Sequence, residues 1–312
     1  MKPFRSVLET EFLPFVEKPL RYLGNELNII RKDLDSCMCR GVLCFPDLYD
    51  LGMSHYGSQI LYHIVNRRDS WALSRCYHPA PDAEEQMRSS KLPLWDLEYV
   101  QPICDADWIG FTVQYELQYT NILNMLDLAG IAVRSAQRGE HDPIIIAGGP
   151  CMINPEPIAP FMDACVIGDG EEVIERICGV IEESRKIIRP RQHTIRELSR
   201  LDGVYVPDAY PAARQKRFIV PEMAAKPVRA AKIPQLNSAY YPDKPLVPVM
   251  NIVHDRLAVE VMRGCTRGCR YCSAGMYYRP VRERQAQDIF SHIHEGVSNT
   301  GLREIGLLSL ST

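Results

Sequence analysis

The sequence lacks several features that would place it quickly in a class of protein. No apolar run approaches the roughly 18 residues that a membrane-spanning helix needs. The first residues carry no apolar core of the kind that a secretory signal peptide has. Basic residues are not in excess, since 36 Lys and Arg face 39 Asp and Glu. The composition therefore argues against a membrane protein and against a general nucleic-acid-binding surface.

A disulfide framework is also missing. The 11 cysteines of the 312 residues are scattered, and this usage is typical of a reducing compartment, so we expect a cytoplasmic protein. Cys37 and Cys39 form a C-x-C pair without further ligands nearby, and we interpret them as isolated thiols.

One group of three cysteines stands apart from this scatter. Cys265, Cys269 and Cys272 have the spacing C-x3-C-x2-C, which would arise by accident in about 1 % of such sequences. Three thiolates on a short loop can hold three corners of a cubic iron–sulfur cluster and leave the fourth iron open. A structural zinc site is the alternative, although zinc usually takes four ligands, often as two C-x2-C pairs, and the sequence has no second pair.

The residues around these cysteines fit an iron–sulfur loop. Gly264 and Gly268 allow a tight backbone turn that directs amides toward a negatively charged cluster. Arg263, Arg267 and Arg270 are expected to offset the thiolate charge.

The segment Cys265-x3-Cys269-x-Tyr271-Cys272 resembles the cluster loop of the radical S-adenosylmethionine (SAM) superfamily. The resemblance implies a 4Fe-4S cluster on the three cysteines, with SAM chelating the open iron and Tyr271 lying near its adenine. It also implies an electron donor and reductive cleavage of SAM to a 5′-deoxyadenosyl radical that attacks a substrate. The hard chemistry then belongs to the cofactor, and the protein binds and orients.

Apolar strand patterns alternate with helical patterns after a helical leader over residues 1–40. Strands are predicted at 41–46, 74–79, 108–114, 143–150 and 164–170, with residues 131–134 as either a strand or a turn into one. Helices are predicted at 53–66, 82–90, from about 115 to 129, and from Glu171 onward. This α/β alternation predicts a doubly wound, Rossmann-like parallel sheet over residues 41–184.

Polar and glycine-rich segments follow the predicted strands. They are Asp47 to His55, Gln114 to Glu116, Gly148-Gly149-Pro150 and Gly168-Asp169-Gly170. Ligands of such sheets bind at the carboxyl ends of the strands, so a ligand site is expected there, whereas any single glycine can simply make a tight turn.

The order of these segments resembles the cobalamin-binding-type domain that precedes many radical SAM domains. The phrases Phe45-Pro46-Asp47-x-Tyr49-x-x-Gly52-Met53-Ser54-His55 and Gln114-Tyr115-Glu116-Leu117 resemble one largely uncharacterised group of such proteins. The resemblance implies Gln114, Gly148, Gly149, Pro150 and Gly168 as cobalamin contacts. The usual D-x-H-x-x-G cobalt-ligand motif is absent, because the spacing around His55 is different, and we interpret His55 as a hydrogen-bonding residue at a helix start. A domain that no longer binds cobalamin remains the alternative.

Residues 185–250 are predicted to be a linker, with a short helix from Thr194 to Leu201 and a capping box of Thr194 and Glu197. Its basic residues (214, 216, 217, 226, 229 and 232) are interpreted as solvated strand edges rather than a nucleic-acid-binding face. Residues 251–312 are predicted to begin a radical SAM βα barrel, with strands at 257–262 and 304–310. A helix at about 284–298 between them would have Ile289, Phe290 and Ile293 on one face.

Two classes of function are carried forward. The first is a radical SAM iron–sulfur enzyme, cobalamin-dependent or not, with an unknown substrate. Because a radical SAM domain normally has about six βα units, we expect a fragment, completed elsewhere or by a separate chain. The second is a truncated, non-catalytic cobalamin- or nucleotide-type binding module with a vestigial cluster loop.

Overall fold

The computed structural model describes residues 4–210, 212–215, 218–221 and 227–311. The helices are α1 (Phe4–Glu11), α2 (Tyr49–Gly52), α3 (Tyr56–Asn66), α4 (Pro81–Ser90), α5 (Gln118–Leu128), α6 (Glu171–Lys186), α7 (Arg191–Leu198), α8 (Ala274–Tyr277) and α9 (Ala286–Thr300). The strands are β1 (Cys39–Phe45), β2 (Trp71–Tyr77), β3 (Trp108–Thr112), β4 (Ile144–Gly148), β5 (Ala164–Val166), β6 (Val204–Tyr205), β7 (Ala212–Gln215), β8 (Phe218–Pro221), β9 (Leu257–Glu260), β10 (Met262–Arg263), β11 (Arg282–Glu283) and β12 (Ile305–Leu308).

A six-stranded sheet with the order β2-β1-β3-β4-β5-β6 forms the centre of the first unit. Strands β1 to β5 are parallel, and only β6 at one edge runs antiparallel to its neighbour. Strands β4 and β5 in particular are continuous apolar runs because helices cover both faces of the sheet. This mostly parallel sheet confirms the predicted α/β, Rossmann-like class.

Two hydrophobic cores lie on opposite faces of this sheet. Helices α4 and α5 pack on one face, where Met87, Ile122 and Met125 are fully buried. Helices α3, α6 and α7 pack on the other face through Ile60, Ile177 and similar residues. The strand order reverses direction between β1 and β3, so the loops that follow these two strands diverge to opposite faces and leave a crevice.

The second unit is a single βα unit followed by a second strand. Strand β9 leads through the short ribbon of β10 and β11 into α9, and β12 returns parallel to β9. Ile289 and Ile293 of α9 pack on the second core of the first unit, as does Val259 of β9. Phe290 does not share this face, because its side chain is 71 % exposed, so its predicted place in the apolar stripe is wrong.

Aromatic rings join the two units. Tyr241, from the connection, stacks on Tyr56 of α3 with ring centroids 5.1 Å apart and on His292 of α9 at 4.2 Å. The Tyr241 hydroxyl donates a hydrogen bond to the carbonyl of Ala258 at 2.5 Å. The cysteine-bearing unit therefore has a fixed position on the α3–α6 side of the sheet.

Three local predictions can be compared with the structure. Residues 131–134 form a loop rather than a strand. Helix α7 begins at Arg191 after Pro190, so Thr194 lies inside it and donates to the carbonyl of Pro190 at 3.4 Å instead of capping it. Of the basic residues in the connection, Arg229 and Lys232 are exposed, whereas Lys216, Arg217 and Lys226 lie outside the described residues.

Candidate functional site

A cavity of about 510 Å³ lies at the carboxyl ends of β1, β3, β4 and β5, and we call it the edge cavity. The second unit closes one side of it with Glu260, Met262, Arg263, Tyr277, Tyr278 and Leu308 to Leu310. His55, Gln114, the segment Gly148–Pro150 and Gly168 all line this cavity, so the structure brings the residues that follow the predicted strands together. Its size falls within the roughly 300–1,000 Å³ of small-molecule sites.

The glycines of this edge are required by close backbone approaches. Gly149 has φ +109, and a Cβ there would lie 2.4 Å from the carbonyl oxygen of Val113. Gly168 has φ +103, and a Cβ there would lie 2.1 Å from the carbonyl oxygen of Ala231. Ala231 comes from the connection and pairs with Gly168 as an isolated parallel bridge. These two glycines are therefore explained by the packing of the chain, without a ligand.

His55 is the N-cap of α3. Its Nδ1 accepts a hydrogen bond from the backbone N–H of Ser58 at 3.2 Å and lies 2.8 Å from the Ser58 hydroxyl. Burial lowers the pKa of His55 to about 4, and a side-chain hydrogen bond with Gln114 opposes this only in part. The interpretation of His55 as a hydrogen-bonding residue at a helix start is confirmed, and the ring is neutral at pH 7 with its proton on Nε2.

Six charged residues form an ion cluster where the two units meet beside the edge cavity. They are Asp169, Glu171, Glu260, Arg263, Arg282 and Arg284. Arg263 donates to Asp169 at 3.0 Å, to Glu171 at 2.7 Å and to Glu260 at 2.9 Å. Arg282 also donates to Asp169, and Arg284 lies 3.7 Å from Glu260.

This ion cluster is electrostatically strong because it is largely buried. Burial alone would lower the pKa of Arg263, but Glu171 and Glu260 outweigh burial and raise it well above the usual range. Burial alone would raise the pKa of Asp169, but Arg263, Arg282 and the backbone N–H of Ile233 outweigh it and lower the pKa. Both groups are therefore held in their charged forms.

The three cysteines lie on an exposed loop, residues 264–272, which we call the cysteine loop. Cys265 is half-buried, Cys269 and Cys272 are exposed, and the ring of Tyr271 is 92 % exposed. The backbone N–H of Arg267 donates to the Cys265 sulfur at 3.5 Å. Gly264 and Gly268 have φ of +95 and +67, so the loop uses the left-handed conformation at both glycines.

The donor set of the cysteine loop fits an iron–sulfur cluster in its chemistry. Within the described ranges, however, no group of three His, Cys, Asp or Glu side chains is arranged to hold a metal ion. The arginines also differ from expectation. Arg263 is bound by three carboxylates, so the prediction that it offsets thiolate charge is wrong. Arg267 donates to the Ser311 hydroxyl at 2.9 Å.

Sequence reasoning missed the ion cluster. The sequence places Asp169 in a glycine-rich segment after a predicted strand and Glu171 at the start of a predicted helix, and it indicates no partner for either. Their partners Arg263 and Arg282 lie more than 90 residues further along the chain. The available signal was the density of charge at 260, 263, 282 and 284, on both sides of the cysteines.

Two comparisons with known proteins bear on this chain. Residues 57–207 match the family model described as radical SAM proteins, N-terminal, which covers α3 to β6 but ends before the cysteine loop. An uncharacterized protein of Methanocaldococcus jannaschii is 25 % identical over 227 residues, which are 72 % of this chain and 43 % of that relative. The chain thus spans less than half the length of that relative. The family match supports a radical SAM protein.

No helix among the described residues is long and apolar enough to cross a membrane.

Proposed function

We propose that this chain is the N-terminal part of a radical SAM iron–sulfur protein, with Cys265, Cys269 and Cys272 as the cluster ligands. The observation that carries the proposal is the position of the C-x3-C-x2-C spacing on the loop between β9 and α9 of a parallel βα unit. Chemistry in βα barrels sits on the loops that follow the strands. The family match over residues 57–207 supports the same superfamily independently of the cysteines.

The protein's own residues prepare this loop in three ways. Gly264 lets the loop approach the backbone of residues 278–281, since a Cβ there would lie 2.6 Å from the carbonyl oxygen of Tyr278. The N–H of Arg267 donates to the Cys265 sulfur and orients it on the loop. The exposed ring of Tyr271 is free to cover SAM. A 4Fe-4S cluster with SAM on its open iron would supply reductive SAM cleavage and a radical for hydrogen abstraction.

Anaerobic reconstitution with iron and sulfide tests the proposal. We expect a broad absorbance near 400 nm and roughly four irons per chain if the three cysteines hold a cubic cluster. Cys269→Ala should lose both signals. Cys104→Ala is the matched control, because Cys104 is a partly exposed thiol outside the cysteine loop, and it should keep both. Colourless protein, or tightly held zinc in place of iron, would refute the cluster.

Domain boundaries are part of the same proposal. We assign residues 1–40 to a leader, 41–184 to the cobalamin-binding-type domain, 185–250 to a linker and 251–312 to the start of the radical SAM domain. Because the chain spans 43 % of the relative in Methanocaldococcus jannaschii, the remaining βα units would come from a longer protein or a separate chain. SAM, an electron donor and an unknown substrate are the proposed partners, in a reducing cytoplasm.

The resemblance of the strand-end segments suggests cobalamin as one candidate ligand of the edge cavity. Gln114, Gly148, Gly149, Pro150 and Gly168 all border this cavity. The residues do not fit a cobalt ligand, however, because Nδ1 of His55 caps α3 and the same ring bonds Gln114. Cobalamin would have to bind without a protein ligand to cobalt, and retention of added hydroxocobalamin after gel filtration tests this.

A further inference from the structure

The charged side chains that line the edge cavity among the described residues are paired with one another, so none is left to bind a charged ligand. The charged side chains that line it among the described residues are Asp169, Glu171, Glu260 and Arg263. Arg263 contacts all three carboxylates, and Arg282 and Arg284 supply the second and third positive charges of the ion cluster. Three carboxylates therefore face three guanidinium groups, and a charged ligand would have to bury its charge without a partner.

The turn between β5 and α6 is also poorly suited to an anion. The backbone N–H of Asp169 donates to the carbonyl of Ala231 at 2.8 Å instead of facing a ligand. The first turn of α6 carries Glu171 and Glu172, whose charges compensate the helix dipole and repel a phosphate. Among the described residues that line this end of the cavity, a phosphorylated molecule would meet the carboxylates of Asp169 and Glu171 and no cation outside the ion cluster.

The rest of the wall is apolar or uncharged. Trp108, Phe111 and Ile174 are among the apolar side chains that line the cavity. The polar side chains are neutral, since Gln114 donates to the Thr112 hydroxyl at 3.0 Å and His55 is an uncharged cap. The wall therefore offers apolar contact and a few hydrogen bonds without charge.

We propose that the edge cavity binds an uncharged, mainly apolar organic molecule that carries a few hydroxyl, amide or carbonyl groups. That this molecule is the substrate rests on the proposed function, because the stem of the cysteine loop, Met262 and Arg263, lines the same cavity. The bound molecule then lies between the first unit and the loop that carries the cysteines.

A displacement assay on the iron-free full chain tests this class of ligand. Nile red, an uncharged fluorophore, is the reporter, and three competitors share the naphthalene ring but carry a neutral, an anionic or a cationic group: 2-naphthylmethanol, 2-naphthyl phosphate and 2-naphthylmethylammonium. We expect the alcohol to displace Nile red at concentrations at least tenfold lower than either charged analogue. Hydroxocobalamin and AMP test the alternatives of a cobalamin-type and a nucleotide-type ligand, and neither should displace the dye.

A matched pair of variants locates the binding. Ile153 lines the cavity with 48 % of its side chain exposed, so Ile153→Glu can place a charge there without burying it in the core. Ile187 is 55 % exposed at the end of α6, outside the cavity lining, and Ile187→Glu is the control. We expect Nile red affinity to fall at least tenfold in Ile153→Glu and to stay unchanged in Ile187→Glu.

Three results would overturn the proposal: a charged analogue that displaces Nile red as well as the alcohol does, displacement by hydroxocobalamin or AMP, or equal effects of the two variants. The dye assay needs no iron, so its result is independent of the reconstitution experiment. Failure of iron loading together with the expected dye result would show that the bound molecule is not the substrate of a radical SAM reaction, and its chemical class would stand.

Discussion

Arg263 should control whether the cysteine-bearing unit stays attached to the first unit. In the ion cluster its guanidinium donates to carboxylates of β5–α6 and of β9, and its side chain is only 13 % exposed. Arg263→Met removes the shared cation and leaves Glu171 without an ion-pair partner among the described residues. Breaking a buried ion pair by removing one partner costs about 3–5 kcal/mol.

The loss should be local, because the six-stranded sheet does not depend on this cluster. Native-state hydrogen exchange followed by mass spectrometry separates the two units. Peptides covering β9 and α9 should exchange at least about two orders of magnitude faster in Arg263→Met, as expected for about 3 kcal/mol or more. Peptides covering β3 and β4 should keep wild-type protection, since these strands are buried in the centre of the sheet.

Two comparisons make this prediction refutable. Arg200→Met removes an exposed pair with Glu197, with 67 % of the Arg200 side chain in solvent, and should change protection by less than about 1 kcal/mol. Combining Arg263→Met with Glu171→Gln should cost less than the sum of the single changes, by about 0.5–3 kcal/mol, because charge and counter-charge leave together. Wild-type exchange in Arg263→Met, or additive single effects, would show that the ion cluster does not hold the units together.

Two further predictions concern the edge of the sheet. The pKa of folded His55, about 4, lies below its ordinary 6.5, so its stabilising contribution is complete above pH 6.5 and is lost as the pH falls toward 4. In urea unfolding, the loss of stability between pH 7.5 and pH 5 should be smaller in His55→Asn, which keeps a capping side chain but cannot titrate. His55→Ala removes the cap and should cost about 0.5–2 kcal/mol at pH 7.5. An undiminished pH dependence in His55→Asn would contradict the assignment. Gly168→Ala should destabilise by more than about 1 kcal/mol, because of its φ and its contact with Ala231, while Gly179→Ala in α6 should be neutral or stabilising. Equal unfolding midpoints for the two alanine variants would refute the close approach.

The sheet was predictable because its strands are buried on both faces. A strand such as β4 is a continuous apolar run, and no amphipathic helix of that length needs apolar residues at every position. The meeting of the residues at the strand ends was predictable for a second reason, because parallel strands place their carboxyl ends on one edge of the sheet. The strand order places His55 and Gln114 on either side of the reversal between β1 and β3.

Predictions that depended on local pattern alone were less secure. Thr194 and Glu197 satisfy a capping-box spacing, but the chain already turns at Pro190, so Thr194 enters the helix as an interior residue. Ile289, Phe290 and Ile293 have helical spacing, yet only the two isoleucines face the first unit. A spacing rule defines an apolar face only to within one residue, and the tertiary contact decides which side is buried.

The segment Gly168-Asp169-Gly170-Glu171 shows most clearly why the site could not be completed from sequence. Read locally, two glycines and two acids after a buried strand indicate a ligand turn and a helix start, and both readings are chemically sound. In the structure Gly168 receives the backbone of Ala231, and Asp169 and Glu171 bind Arg263, two residues before Cys265. No local pattern distinguishes an acid that faces a ligand from one that binds a distant arginine, because the distinction lies in the partner. Since that partner directly precedes the cysteine loop, the same segment forms a wall of the edge cavity and holds the start of this loop, so a ligand in the cavity and the proposed iron ligands would act on one shared set of ion pairs.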